Sequence, residues 1–401
     1  MYTSMWTYAW DLDDCGMDVA LGELRDHGVG DVSVATAYHC GRFLQIRSPR
    51  RKIYFPQDGV LYYPAPAEDF ADSRIKPLVG DFARERPDFF PELSRRAEAL
   101  GMTVSGWTVC LHNTRLGYLH PEACVQNAFG DTVYFSQCPA NDDVRAYMAA
   151  LLRSEDRRLS LHTLQMESMN YMGFAHEYHH EKDGVGLTAL EDFLLSLCFC
   201  PACMRKGRAA GINMEHVRNR VRDDVVRYLS LPRAEVPSDR FLREGPDFFA
   251  DDADVRAFLN WRAGVVTSLV ERVAGEVSRA QLCFLSLLAN ASSWLFGVDL
   301  KAVSRFLGSA LVCSYDCGAD RARADVAASR AELDPACKVY TGMRAFTPEY
   351  TGREAFVDKV RAALAAGTQG FVFYNYGLIP QGRMRWIGEA CEAIRETEEK
   401  R

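Results

Sequence analysis

No stretch of this sequence supplies the roughly 20 consecutive apolar residues that a membrane-spanning helix needs. Basic residues are outnumbered, 47 against 54 acidic, for a net charge of -7, and they form no stripe that could follow a phosphate backbone. There is no internal repeat and no low-complexity tract. Neither of the first two apolar segments is followed by the glycine-rich turn that a doubly wound nucleotide-binding sheet requires. The opening MYTSMWTYAWDLDD has neither a basic leader nor a small-residue cleavage site, so a cytoplasmic location is expected. The 13 cysteines are an odd number, and Cys283, Cys313 and Cys337 sit inside apolar runs, which argues against a complete disulfide framework. These absences lead to an ordinary globular chain of 401 residues, 48% hydrophobic and 25% charged, with neither nucleic acid nor membrane as its partner.

What the chain does contain is a succession of short apolar segments spaced by helical patterns. Residues 2–10, 32–37, 102–111, 161–167, 281–288, 310–315, 337–343 and 368–374 read as strands. Residues 16–28 carry Val19, Leu21 and Leu24 at helical spacing, and 88–100 and 142–155 are also helical, the last with Asn141 as its cap. Further helices are expected over 188–197, 214–229, 254–280, 320–333, 353–366 and 387–399. Eight apolar strands, nearly all separated by helices, predict an α/β protein of the (β/α)8 barrel type, one domain over 1–401. Long insertions at 40–86, 114–140 and 168–253, after strands two, three and four, are expected to cover the C-terminal face. Within the last, the polar residues 230–252 read as surface.

In such a barrel the C-terminal strand ends converge on one mouth. They carry Trp10 and Asp11, Tyr38 and His39, His112 and Asn113, Glu167, Asn290, Tyr315 and Asp316, Arg344, and Tyr374, Asn375 and Tyr376. Aromatics that stack on ring faces, with amides, imidazoles and carboxylates for hydroxyls, suit a sugar. One cation, Arg344, suits a phosphorylated ligand poorly. The expected substrate-binding set is therefore Trp10, Asp11, Tyr38, His39, His112, Asn113, His176, Tyr315, Arg344, Tyr374 and Asn375. Glycoside cleavage needs two carboxyl groups, one to protonate the departing oxygen and one to attack the anomeric carbon or activate water. Glu167 and Asp316 are the candidates, the alternative for each being a structural ion pair at the rim.

Two further motifs stand close together. His176-Glu177-Tyr178-His179-His180-Glu181 matches the H-E-x-x-H peptidase pattern, which works only on a helix. Gly173 before it and Asp183-Gly184 after it leave room for about two turns, so a substrate-facing or merely solvated loop is the expectation. Cys198, Cys200 and Cys203 form a C-x-C-x-x-C cluster able to hold a structural zinc if a fourth ligand arrives, with Cys138 the choice and Cys124 or a histidine the alternatives. Three reduced thiols at a helix end are the other reading.

Asn127-Ala128-Phe129-Gly130-Asp131, Cys138-Pro139-Ala140-Asn141 with Val144-Arg145, the strand-four carboxylate and the CFCPAC run together resemble glycosyl-hydrolase-like (β/α)8-barrel proteins, over about residues 100–205. The cysteine cluster after a strand-four glutamate is similar to that of the family 42 β-galactosidases. That resemblance implies zinc-binding cysteines, an acid/base glutamate on strand four and a nucleophilic glutamate on strand seven. Glu167 matches the first glutamate, although Met166 stands where the family has asparagine, and residues 337–346 contain no glutamate. A strand-four and strand-six pairing, similar in placement to the retaining α-galactosidase group, instead implies Glu167 as nucleophile and Asp316 as acid/base. The function expected is a glycoside hydrolase for small glycosides or oligosaccharides, without an organic cofactor, the oligomeric state being open. The alternatives are a metal-dependent sugar isomerase, epimerase or lyase using Glu167, His176, His179 or Glu181, and a non-catalytic carbohydrate-binding barrel.

Overall fold

A computed structural model describes residues 1–176, 185–286, 290–315, 318–346 and 352–400. Its apolar segments pair side by side because each is buried on both faces and must satisfy its backbone within the sheet. The strands are β1 (Tyr2–Thr7), β2 (Asp31–Tyr38), β3 (Thr103–Val109), β4 (Thr163–Glu167), β5 (Gln281–Ser286), β6 (Ser309–Cys313), β7 (Lys338–Arg344) and β8 (Gly370–Tyr374). Each pairs in parallel with both neighbours, and β1 closes on β8 from Tyr2↔Gly370 to Met5↔Phe373. The closed ring is the expected (β/α)8 barrel.

The main helices are α1 (Met17–Asp26), α2 (Phe89–Ala99), α3 (Asp142–Arg158), α4 (Ala189–Ser196), α5 (Pro201–Ala209), α6 (Met214–Ser230), α7 (Ala253–Ala274), α8 (Ala319–Glu332), α9 (Arg353–Ala366) and α10 (Met384–Glu399). Asn141 caps α3 as its sequence position predicts, its Oδ1 accepting from Asp143 N (2.9 Å) and Val144 N (3.2 Å). Between β5 and β6, the described residues include the 3-10 turn Asn290–Phe296 and the short helix Leu300–Ser304. Among the described residues, no helix is long and apolar enough to cross a membrane.

Two expectations need correction. Strand one stops at Thr7 rather than continuing to residue 10, because Asp11 Oδ2 accepts from Tyr8 N (3.0 Å) and starts the helix Ala9–Cys15. Residues 230–252 are not a simple surface segment. They form the helices Ser238–Glu244 and Gly245–Phe249, whose Phe241 and Phe249 are buried. Phe241 meets Phe193 and Trp294, each at 5.3 Å between ring centroids, in a second apolar cluster with Leu190, Val221 and Phe258. Arg233 ties the same segment to α4 through Glu191 (2.5 Å).

The barrel interior is polar from its floor upward. Asp31 accepts from four hydroxyls, those of Ser4 (2.6 Å), Thr103 (2.6 Å), Tyr2 (2.8 Å) and Ser105 (2.9 Å). One level higher, Gln165 Oε1 accepts from Trp6 Nε1 (2.6 Å) and Ser33 Oγ (2.9 Å). The large majority of buried polar groups are partnered, so this column sets which faces of β1, β2 and β4 look inward.

Outside the ring, α3 buries Glu155, whose Oε2 accepts from Thr108 Oγ1 (2.6 Å) while Oε1 has no partner among the described residues. Burial pushes this carboxyl up to about 7. A carboxyl raised in the folded state binds its proton more tightly there than when unfolded. Its contribution is therefore full below the ordinary carboxylate range and is lost as pH rises through about 7. Glu155→Gln is expected to remove this loss, making the fall in urea stability from pH 5 to pH 8 smaller than in the wild type by up to roughly 3 kcal/mol. An unchanged pH dependence in the variant would show that Glu155 is ionised in the fold.

Candidate active site

Glu167 is the last residue of β4, and the inward parity it shares with Gln165 turns its carboxyl into the mouth. Trp107, inward-facing on β3, donates from Nε1 to Glu167 Oε2 at 2.5 Å. Burial pushes Glu167 up to about 7, against the opposing pull of that hydrogen bond. The group can thus hold a proton near neutrality and still release it.

Rings close around it. Tyr8 Oη donates to Tyr38 Oη at the end of β2 (3.0 Å) and lies 3.1 Å from Tyr374 Oη at the end of β8. Trp107 packs against Tyr38 (5.2 Å) and edge-on to Tyr374 (6.0 Å). Tyr315, just beyond β6, reaches Tyr374 at 6.2 Å, and the Arg344 guanidinium lies 4.4 Å above the Tyr315 ring. Tyr38, Tyr315 and Tyr374 all sense the Glu167 charge, and burial raises all three above the ordinary phenol range, so they stand as neutral hydroxyls. The structure therefore brings Tyr38, Glu167, Tyr315, Arg344 and Tyr374 together.

Three imidazoles extend the rim. His39 stacks on Tyr38 (4.3 Å) and on His112 (4.0 Å), and His112 meets His176 edge-on at 4.9 Å. Burial drives His112 down to about 3, which keeps it neutral. The other expected residues stand back from the mouth. Trp10 is buried and stacked on Tyr8 (4.5 Å, 5°), backing the aromatic box rather than lining it. Asp11, also buried and pushed up to about 7 by desolvation, packs against the Gly377 backbone. Asn113 caps the helix Thr114–Leu119 by accepting from Leu116 N (2.9 Å). Asn375 accepts from Gly377 N (3.0 Å) in the turn after β8. Asp316, residues 177–184 with His179 and Glu181, and the side chain of Asn290 lie outside the described residues.

Trp107, Trp6 and Tyr8 are not among the expected site residues, because they lie one or more positions before the expected strand ends. The signal was present in the alternation of β3, where Trp107 has the inward parity. Ser168 was missed too. It follows Glu167 with φ +56°, a left-handed backbone rare for serine, and it lines a cavity of about 140 Å3 with Asn170, Met172, Phe284, Phe296 and Val298.

Behind the loop after β4, the buried thiols of Cys138, Cys198, Cys200 and Cys203 gather, all within 4.8 Å of one another. Cys138 Sγ lies 3.5 Å from Cys203, 3.6 Å from Cys200 and 3.7 Å from Cys198. Four sulfurs about 2.3 Å from a central ion would stand about 3.8 Å apart, so the spacing matches a tetrahedral thiolate site. Cys124 is not the fourth member, since its thiol turns to the carbonyls of Gly117 and His120, each at 3.7 Å.

No family model and no curated protein sequence matches the chain. Solved structures do. The catalytic domain of a β-amylase from Paenibacillus polymyxa is 10% identical with a TM-score of 0.58, 97% of each chain being covered. The glycoside hydrolase domain of PgaB from Bordetella bronchiseptica is 11% identical with a TM-score of 0.55, over 98% of this chain and 99% of that one. A β-galactosidase from the psychrophilic Marinomonas ef1 is 10% identical with a TM-score of 0.58; all of this chain is covered, but it spans only 60% of the galactosidase. At such identities the likeness is one of fold.

The left-handed turn at Ser168 fixes where β4 ends and Glu167 points. Ser168→Val should lower stability by about 1–3 kcal/mol in urea unfolding, whereas Ser168→Gly should match or exceed the wild type. A valine variant as stable as the wild type would argue against that backbone conformation.

Proposed function

We propose that this barrel is a glycoside hydrolase acting on small glycosides or oligosaccharides. One observation carries the reading: a protonatable carboxyl, Glu167, lies at the barrel mouth among the rings of Trp107, Tyr38, Tyr315 and Tyr374. Such rings suit the apolar faces of a sugar, and the phenol hydroxyls and Arg344 suit its polar edge. The similar folds named above belong to an amylase, a galactosidase and a glycoside hydrolase domain, which supports the same class.

A carboxyl that keeps its proton to about pH 7 suits the donor role better than the nucleophile role. Glu167 is therefore assigned to protonate the departing glycosidic oxygen, the role the family 42 resemblance implies for it. Asp316, adjacent in sequence to the mouth residue Tyr315, is assigned as the second carboxylate, opposite in role to the sequence-based pairing. A reducing, cytoplasmic setting fits the free thiols.

We further assign the four cysteines to a structural zinc, on the sulfur spacing. The ion would supply no chemistry to the sugar. It would join Cys138, at the end of the insertion after β3, to the start of α5 in the insertion after β4.

In a screen of aryl glycosides, turnover by the wild type should fall at least about a hundredfold in Glu167→Gln and in Asp316→Asn. Rates like the wild type in both variants would remove the carboxylate assignment. Elemental analysis should find one zinc per chain, reduced well below that in Cys138→Ser together with a lower Tm. A wild type that takes up no zinc, even on reconstitution, would refute the metal site.

A further inference from the structure

Arg262 on α7 is among the largest fully buried side chains, with 1% exposure. Its Nη1 donates to Leu295 O (3.0 Å), but Nε and Nη2 have no hydrogen-bond partner among the described residues. A buried guanidinium left this way is costly unless negative charge lies near. Its guanidinium carbon sits 4.4 Å above the Tyr171 ring, and the Tyr171 hydroxyl lies 3.8 Å from Cys203 Sγ. The thiols of Cys198, Cys203 and Cys138 are near enough to act on the Arg262 charge. Neutral thiols would do little for that cation. Four thiolates around a divalent ion carry a net charge of about -2, which is what the position lacks.

We propose that Arg262 is the charge-balancing positioning residue of the four-cysteine metal site, acting through Tyr171. The assignment rests on the metal reading above and adds residues to it. It also explains how the metal site reaches the barrel rim. Tyr171 is four residues past Glu167, and its N–H donates to Phe296 O (3.2 Å). Arg262 holds the neighbouring carbonyl of Leu295, and both side chains close on Gly297, where a Cβ would stand 3.0 Å from Tyr171 and 3.2 Å from Arg262. The loops after β4 and β5 thus meet at the residues that face the thiolates. Outer partners of this kind orient metal ligands and tune how tightly the ion is held.

The test uses the full chain loaded with Zn2+, and in parallel with Co2+, whose thiolate charge-transfer absorption reports on the sulfurs. Arg262→Met, close in length but uncharged, should release the ion to a chelator about 10–100-fold faster than the wild type. Arg262→Lys should recover part of the difference, which a purely steric role would not predict. Tyr171→Phe, keeping ring and cation, should shift the Co2+ charge-transfer band because Cys203 loses its hydroxyl neighbour. Release from folded Arg262→Met within about twofold of the wild type would overturn the proposal. If that variant does not fold, wild-type release and an unshifted band in both Arg262→Lys and Tyr171→Phe overturn it equally. A wild type that binds neither ion overturns the metal reading itself, before any variant is compared.

Discussion

The hydrogen bond from Trp107 Nε1 to Glu167 Oε2 is the contact around which the mouth is arranged. A carboxyl in such surroundings is pushed toward its neutral form by desolvation, and a single donor restores part of its tendency to ionise. The same indole is a wall for Tyr38 and Tyr374, so one side chain both tempers the effect of burial on the carboxyl and shapes the space beside it. It can do so because β3 and β4 are adjacent in the ring and Trp107 lies level with Gln165, one inward position below Glu167.

That arrangement depends on what lies beneath it. Gln165 is held by Trp6 and Ser33, and Asp31 by four hydroxyls at the floor. Slipping β4 by one residue would turn Glu167 and Gln165 outward and leave Trp6 Nε1 and Ser33 Oγ without their acceptor, so the Gln165 layer fixes the register that Glu167 needs. The insertion after β4 is secured separately, by its own aromatic cluster around Phe193 and Phe241 and by the cysteine group. Tyr171 and Arg262 lie where these two regions meet.

The ring of strands was legible because parallel barrel strands are apolar on both faces and glycines such as Gly28 and Gly101 mark the helix ends between them. Cys138 was legible as the fourth thiol, although 60 positions separate it from Cys198. Local polarity does not imply exposure. Residues 230–252 look hydrophilic, yet Val236, Phe241 and Phe249 are buried within them. Trp10 and Asp11 look like the end of a strand, because composition does not reveal that Asp11 accepts from Tyr8 N and begins a helix.

By itself the sequence determined the number and order of the strands, the long insertions and Glu167 at the end of the fourth strand, since periodicity and turn residues act over a few positions. Only the tertiary structure decided that Trp107 and Tyr8 share a space with that glutamate and with Tyr374. Trp107, Tyr8 and Tyr374 come from strands one, three and eight or their ends, and they meet because the first strand closes on the last. Ring closure is a long-range pairing, and no local pattern encodes which inward rings it will bring face to face.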